Sequence, residues 1–413
     1  MRGFEGAYVA ADPKAAGHVV VADTDLINSK CGWHSTFDAG KTWTDGAFAL
    51  PAGFNGCHID PPSGGHVPSG SVVIGSYGQV YVVFGSARVA DAGRDSILVA
   101  SSLDGGRTFL PASVAVAPPT PDFGLARPLM TTARGPTGKD VLDLSFWGCH
   151  RTAQGTACDS AFFARSDDAG ATFGSPVVVN KPPGGQNPSQ PVVGSDGTIY
   201  LTFQRRFADG HVNLLLAKSS DNGATFSESP IDTERSIGLL YDAAKLALDP
   251  KSGALYSVWS DSRTGSQQIF FLKSPDKGTT WSQAQLLTPD PAVTGSSRSP
   301  SISVAPNGRI DVVYYHTPPE TPNLDEVYLE SSMDSGATFK LRQVNPKPID
   351  RTLGYSGPAG SLGEVGNHYP PTVASLNSTA DVVWSDTAAA TPLTQTQDVE
   401  LRTVVFATTV GGT

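Results

Sequence analysis

Short runs in which β-branched and aromatic residues alternate with small or polar ones recur along the chain. They include VYVVFG (Val80 to Gly85), IYLTFQ (Ile199 to Gln204), LYSVWS (Leu255 to Ser260), IDVVYYH (Ile310 to His316) and ADVVWSD (Ala380 to Asp386). A period of two with β-branched enrichment predicts strands. A turn precedes such runs, SDG at Ser195 to Gly197 or PNG at Pro306 to Gly308, and a shorter strand precedes the turn, as at Ser301 to Gly308. A polar loop then leads to a third strand, and a fourth leaves it, as in Thr172 to Val179. No stretch carries a convincing helical pattern, so the chain reads as all-β.

The third and fourth strands are joined by a repeated box, Ser/Thr-x-Asp-x-Gly-x-Thr-aromatic. Its six copies are TFDAGKTW (Thr36 to Trp43), SLDGGRTF (Ser102 to Phe109), SDDAGATF (Ser166 to Phe173), SSDNGATF (Ser219 to Phe226), SPDKGTTW (Ser274 to Trp281) and SMDSGATF (Ser332 to Phe339). The Asp carboxylate is suited to accept backbone N–H bonds across a tight turn. The Gly supplies a left-handed backbone position, and the aromatic ring enters the core. The box Asp residues, Asp38, Asp104, Asp168, Asp221, Asp276 and Asp334, stand 53 to 66 residues apart.

That spacing is the size of one four-stranded propeller blade. Over 413 residues it predicts one β-propeller domain, residues 1–413, of seven four-stranded blades, with six blades as the alternative. The expected blades run 6–50, 70–118, 126–180, 188–233, 240–289, 298–346 and 369–410. The last shows only three strand-like runs and no box. Ring closure would remove the edge strands that invite aggregation.

Composition narrows the function. The 44 Gly and 32 Pro suit a turn-rich chain, and 39% hydrophobic residues suffice for a core. No apolar run is long enough for a membrane-spanning helix. A net charge of −10 argues against nucleic acid. The opening Met1-Arg2-Gly3-Phe4-Glu5-Gly6 has no signal segment. Cysteine placement nevertheless favours a secreted or periplasmic protein. The four Cys form two local pairs, Cys31–Cys57 and Cys149–Cys158, that read as disulfides. The eight His are scattered, none at metal-ligand spacing, so no metal or cofactor is expected, a structural Ca²⁺ in the Asp-rich loops being the one ion left open.

The six boxes resemble the Asp-box, or BNR, repeats of sialidases and sialidase-like propellers, over about residues 20 to 345. The resemblance implies a propeller whose boxes lie on the outer rim, away from the site, with the six box Asp residues structural. It also implies a site of three Arg clamping a carboxylate, a Tyr nucleophile activated by Glu and an Asp acid/base. The Arg-Ile-Pro motif of that family near the first strand is absent here; the nearby Arg is Arg2.

Propeller sites gather where loops converge on the axis, here where inner strands begin and second strands end. Arg127 in GLARP, Arg235 in TERSIG and Arg298 in SSRSP precede inner strands, and Arg151, like Arg88, Arg205, Arg206 and Arg263, follows a second strand. Guanidinium forks there suit a carboxylate or sulfate. The Gly-rich stretch Gly354 to Pro371 carries Glu364, His368 and Tyr369, candidates for a Tyr nucleophile with its Glu base or for a Tyr/His proton-transfer pair. Asp60, with His58 in GCHID and Asp122 and Asp242 at comparable blade entries, is a candidate general acid. The expected protein is a secreted, monomeric, sialidase-like glycoside hydrolase acting on an acidic glycan, leaning towards an enzyme. The alternatives are a non-catalytic propeller binding glycan or protein, and a polysaccharide lyase using Tyr/His and Arg.

Overall fold

The computed structural model describes residues 4–25, 30–54, 56, 70–87, 95–120, 122–152, 155–182, 184–185, 187–207, 211–236, 244–287, 295–353, 370–387 and 398–405. Side chains are described for these except at 4–6, 25, 87, 95, 151–152, 155–156, 234–236 and 398–405. All regular structure among the described residues is strand. The strands form antiparallel sheets of neighbours in sequence, as hairpin-connected chains do. The fold is an all-β propeller with four-stranded blades.

The expectation of seven four-stranded blades needs correction. Six sheets have four strands in consecutive order, one of them with a short fifth strand, Ile349–Asp350, added to its third. Six is the number of the alternative expectation. The remaining sheet, at Thr372–Ser375, Thr379–Asp386 and Asp398–Val405, has three described strands. It packs between the last and first four-stranded sheets. Val383 joins Ala7, Val19 and Val21 on one side, and Trp384 joins Val313, Tyr315 and Val327 on the other.

Each joint between neighbouring sheets holds its own hydrophobic cluster. Sheets 1 and 2 meet through Val20, Trp33, Phe48, Val82 and Phe84, and sheets 5 and 6 through Tyr256, Phe271, Ile310 and Tyr314. The period-two pattern of the second strands produces this, because such a strand buries both faces, one against each neighbouring sheet. Closer to the axis the sheets are joined by polar bonds. The Met130 amide donates to Ser71 Oγ at 2.7 Å, the Thr202 hydroxyl to the Ala244 carbonyl at 3.0 Å, and the Thr372 hydroxyl to the Ala7 carbonyl at 3.1 Å.

The boxes form six near-identical turns. In the first, the Thr42 amide donates to Asp38 Oδ1 at 2.9 Å and the Thr42 hydroxyl to Asp38 Oδ2 at 2.7 Å. The Gly40 amide donates to the Thr36 hydroxyl at 2.8 Å. The same bonds recur at Asp104, Asp168, Asp221, Asp276 and Asp334. The turn needs two successive left-handed residues, not the Gly alone. Ala39, Ala169, Asn222, Lys277 and Ser335, each just before the box Gly, have φ between 56° and 63°. The Gly position is also sterically closed: a Cβ on Gly223 would run into the Phe163 ring of the preceding sheet. Gly106, Gly170, Gly278 and Gly336 likewise lie against the preceding sheet, so these boxes are docked on a neighbour as well as closed on themselves.

Sheet 3 departs from the repeat. Its first three strands, Phe123–Arg134, Asp140–Thr152 and Gly155–Ser166, have 12, 13 and 12 residues, against 7 or 8 for the second and third strands of sheets 4 and 5. The extra length projects from the end opposite the boxes, where the expected disulfide Cys149–Cys158 links the second and third strands. Cys57, the partner expected for Cys31, lies outside the described residues.

Candidate functional site

The inner strands enclose an axial channel of about 390 Å³, lined by residues of every described sheet. Strand register shows which side chains share a level. Tyr8 pairs with Ala22, Ser71 with Val83, Leu129 with Ser145, Lys245 with Val258, Ser301 with Val313 and Thr372 with Val383. In the box-bearing sheets these partners lie three residues beyond the residue facing the first box Ser or Thr, as Val19 faces Thr36 and Leu255 faces Ser274. The five from box-bearing sheets therefore share one level across the channel, near the end where inner strands begin and opposite the boxes, and Thr372 joins them through its bond to the Ala7 carbonyl.

Just above that level the inner strands kink. In sheet 3, Arg127 and Pro128 together oppose Phe146, and in sheet 6, Ser299 and Pro300 together oppose Tyr314. Arg127 has φ 52°, Ser299 φ 54°, and Asn187, before Pro188 and ahead of the inner strand of sheet 4 (Val192–Val193), φ 50°. A non-glycine residue in this region costs about 1–2 kcal/mol and persists only where its surroundings impose it. The register shifts at Arg127 and Ser299 are bulges, which re-aim side chains. Arg127 Nη1 lies 3.5 Å from Asn187 Oδ1, and its guanidinium sits 5.7 Å from the Trp147 ring centre. Asn187 is buried, with its amide nitrogen 3.4 Å from Gln204 Oε1.

Tyr8, on the inner strand of sheet 1, packs against the cluster between sheets 1 and 2. Burial pushes its hydroxyl up to about 12, and the charge of Arg127 pulls it in the opposite direction. At neutral pH Tyr8 is a neutral hydrogen-bond donor. Lys245 is the only charged residue on the channel wall among the described residues, and no carboxylate lines it, although the chain has 39 acidic residues.

The other expected site residues are distributed as follows. Arg298 is engaged within sheet 6: Nη1 donates to the Thr317 hydroxyl at 2.6 Å and Nη2 to Asp325 Oδ2 at 2.5 Å. Neither Arg127 nor Arg298 is among the residues lining the channel itself. Arg151 and Arg235 lie in strands whose side chains there are not described. Tyr369, Glu364, His368 and Asp60 lie outside the described residues. Among the loop arginines, Arg263 is paired with Asp232 and Asp261, and Arg205 with Glu228. These pairs neutralise their charge locally. No group of three or more His, Cys, Asp or Glu among the described residues is arranged to hold a metal ion.

Sequence reasoning missed Tyr8, Asn187 and Lys245. Tyr8 and Lys245 sit in short inner strands, Phe4–Ala11 and Lys245–Leu248, whose level in the ring only register reveals. A signal for the kinks was present: a proline follows each of Arg127, Asn187 and Ser299.

The sequence matches no protein-family model and no curated protein. Solved structures share the fold. A protein of unknown function from Dyadobacter fermentans has a TM-score of 0.58 at 15% identity, covering 87% of this chain and 97% of that one. A PL25 polysaccharide lyase, an ulvan lyase also solved bound to -[GlcA(1-4)Rha3S]-, has a TM-score of 0.56 at 12% identity, covering 98% and 94%. The leech intramolecular trans-sialidase in complex with 2,7-anhydro-Neu5Ac has a TM-score of 0.52 at 11% identity, covering 94% and 83%. At these identities the likeness is one of fold.

Proposed function

We propose that this chain is a carbohydrate-active propeller that takes an acidic glycan at the channel mouth opposite the boxes. The observation that carries the reading is Arg127. It is held on a left-handed bulge beside Asn187 and Trp147. A guanidinium so placed suits the carboxylate of a uronate or sialic acid, and a flanking aromatic suits a sugar ring. Two fold neighbours solved with acidic sugars, GlcA and a Neu5Ac derivative, support the same ligand class. The Cys149–Cys158 bond supports a place in an oxidising compartment.

The reaction we assign is cleavage of a glycosidic bond, of sialidase-like hydrolytic type. A screen of sialosides and uronate polysaccharides tests it. Hydrolysis yields new reducing ends without ultraviolet absorbance, whereas a lyase yields an unsaturated, absorbing product. The wild type is expected to bind or cleave at least one acidic glycan, and Arg127→Ala to lose most of that affinity. Failure to engage any acidic glycan, or unchanged affinity in Arg127→Ala, overturns the reading.

A further inference from the structure

The turn that joins the inner and second strands of the three-stranded sheet carries a motif of its own. Asn377 and Ser378 form its tip, between Thr372–Ser375 and Thr379–Asp386, and both are exposed. The Leu376 amide closes the turn on the Thr379 carbonyl at 2.8 Å. Sheet 6 pins the backbone from one side. Arg309 donates to the Leu376, Asn377 and Thr379 carbonyls, and the Asn307 side-chain amide donates to the Asn377 carbonyl at 3.0 Å. These bonds take up carbonyls alone. Among the described residues nothing bonds to the Asn377 carboxamide or to the Thr379 hydroxyl, and Thr379 is partly exposed. Asn377-Ser378-Thr379 is an Asn-x-Ser/Thr triplet, so its acceptor amide and its hydroxyl stand on an anchored hairpin tip. The other such triplet, Asn187-Pro188-Ser189, has proline in its middle position and a buried Asn.

We infer that Asn377 is a site of N-glycosylation. The donor is an oligosaccharide carried on a lipid pyrophosphate. The bond from the Asn377 amide nitrogen to C1 of the first sugar forms, and the bond from C1 to the pyrophosphate oxygen breaks. The lipid pyrophosphate leaves with the electron pair, and the amide gives up one proton. The Cys149–Cys158 bond supports passage through an oxidising compartment, the setting of such transfer on secreted proteins. The tip lies where an inner strand ends, at the box end of the channel, so a glycan there leaves the mouth beside Arg127 clear. The inference does not depend on the function proposed above.

Intact-mass and peptide-mass measurements on the full chain, secreted from a eukaryotic cell line, test it for the wild type, Asn377→Gln, Thr379→Val and Thr379→Ser. The wild type is expected to carry a glycan on the peptide containing Asn377, released by an amidase specific for N-linked sugars. Asn377→Gln and Thr379→Val are expected to lose it entirely. Thr379→Ser is expected to keep it, because the hydroxyl is retained. Loss in Thr379→Val with retention in Thr379→Ser shows that the whole triplet is read, not an exposed amide alone. Asn377→Gln and Thr379→Ser decide the matter if Thr379→Val fails to fold. A secreted wild type without a glycan at Asn377, or a glycan that survives Asn377→Gln, overturns the proposal. A glycan at Asn377 in a protein that engages no acidic glycan leaves this site standing and removes the function proposed above alone.

Discussion

Arg127 and Asn187, 60 residues apart and on neighbouring sheets, meet at 3.5 Å while each holds a left-handed backbone just before a proline. Neither conformation is favourable alone. Together they fix a guanidinium at the channel mouth, so the strain belongs to the site and not to the ring that supports it.

Substitution at this pair therefore separates binding from folding. Arg127→Gly relieves the strained backbone while deleting the guanidinium. It is expected to leave the thermal midpoint within a few degrees of wild type while acidic-glycan affinity falls about tenfold or more. Parallel thermal melts and glycan titrations check this, and a large loss of stability would make Arg127 a structural residue.

Arg309 is buried with Asp311 in sheet 6, Nη2 to Oδ2 at 2.8 Å. It also donates to the Leu376, Asn377 and Thr379 carbonyls of the three-stranded sheet. Arg309→Met leaves a buried carboxylate without its cation and is expected to cost about 3–5 kcal/mol. Arg309→Met with Asp311→Leu should recover part of the loss. Urea midpoints of the single and double variants decide whether the ion pair or the carbonyl contacts dominate.

Glu330 lies at the joint between sheets 5 and 6, accepting a bond from the Tyr314 hydroxyl at 2.7 Å. Burial raises its carboxyl to about 7, while the Tyr314 bond acts to lower it. The folded state thus holds this proton more tightly than the unfolded chain. The stability it contributes is present below about pH 4.5 and is lost as pH rises through about 7. Glu330→Gln cannot ionise, so it should gain on the wild type across that window by an amount on the order of 3 kcal/mol. Denaturation of both proteins at pH 5 and pH 8 checks it; an equal difference at the two values would contradict a proton held by burial.

The box carboxylates titrate in the opposite sense. The Thr42 amide and then its hydroxyl hold Asp38 down at about 2, and the Thr225 hydroxyl and then its amide do the same for Asp221. Their contribution is present above the unfolded carboxylate range, near pH 4, and is lost as pH falls towards 2. Asp38→Asn with Asp221→Asn should flatten the acid limb of the stability profile, measured as the thermal midpoint between pH 5 and pH 2.5. An acid limb as steep as that of the wild type would remove the boxes from the cause.

The strands, the six turns, the period and the Cys149–Cys158 pair were all legible in the sequence, because each depends on residues close together along the chain. The box is a local hydrogen-bonded unit, so its spelling fixes its geometry wherever it occurs. Even there the residue before Gly eluded reading: Ala, Asn, Lys and Ser all adopt φ near 60° once the flanking bonds impose it. The three-strand final sheet was hinted at by the missing seventh box, but its seat between sheets 6 and 1 rests on clusters such as Val383 with Ala7 that join the two ends of the chain. Arg127 was visible as a charge near an inner strand. Its company was not: Tyr8, Asn187 and Lys245 come from sheets 1, 4 and 5, and only register places them around one opening. Local bonding determines what each repeat is, whereas long-range packing decides which side chains face the same space, and no spacing rule carries that information along a chain of 413 residues.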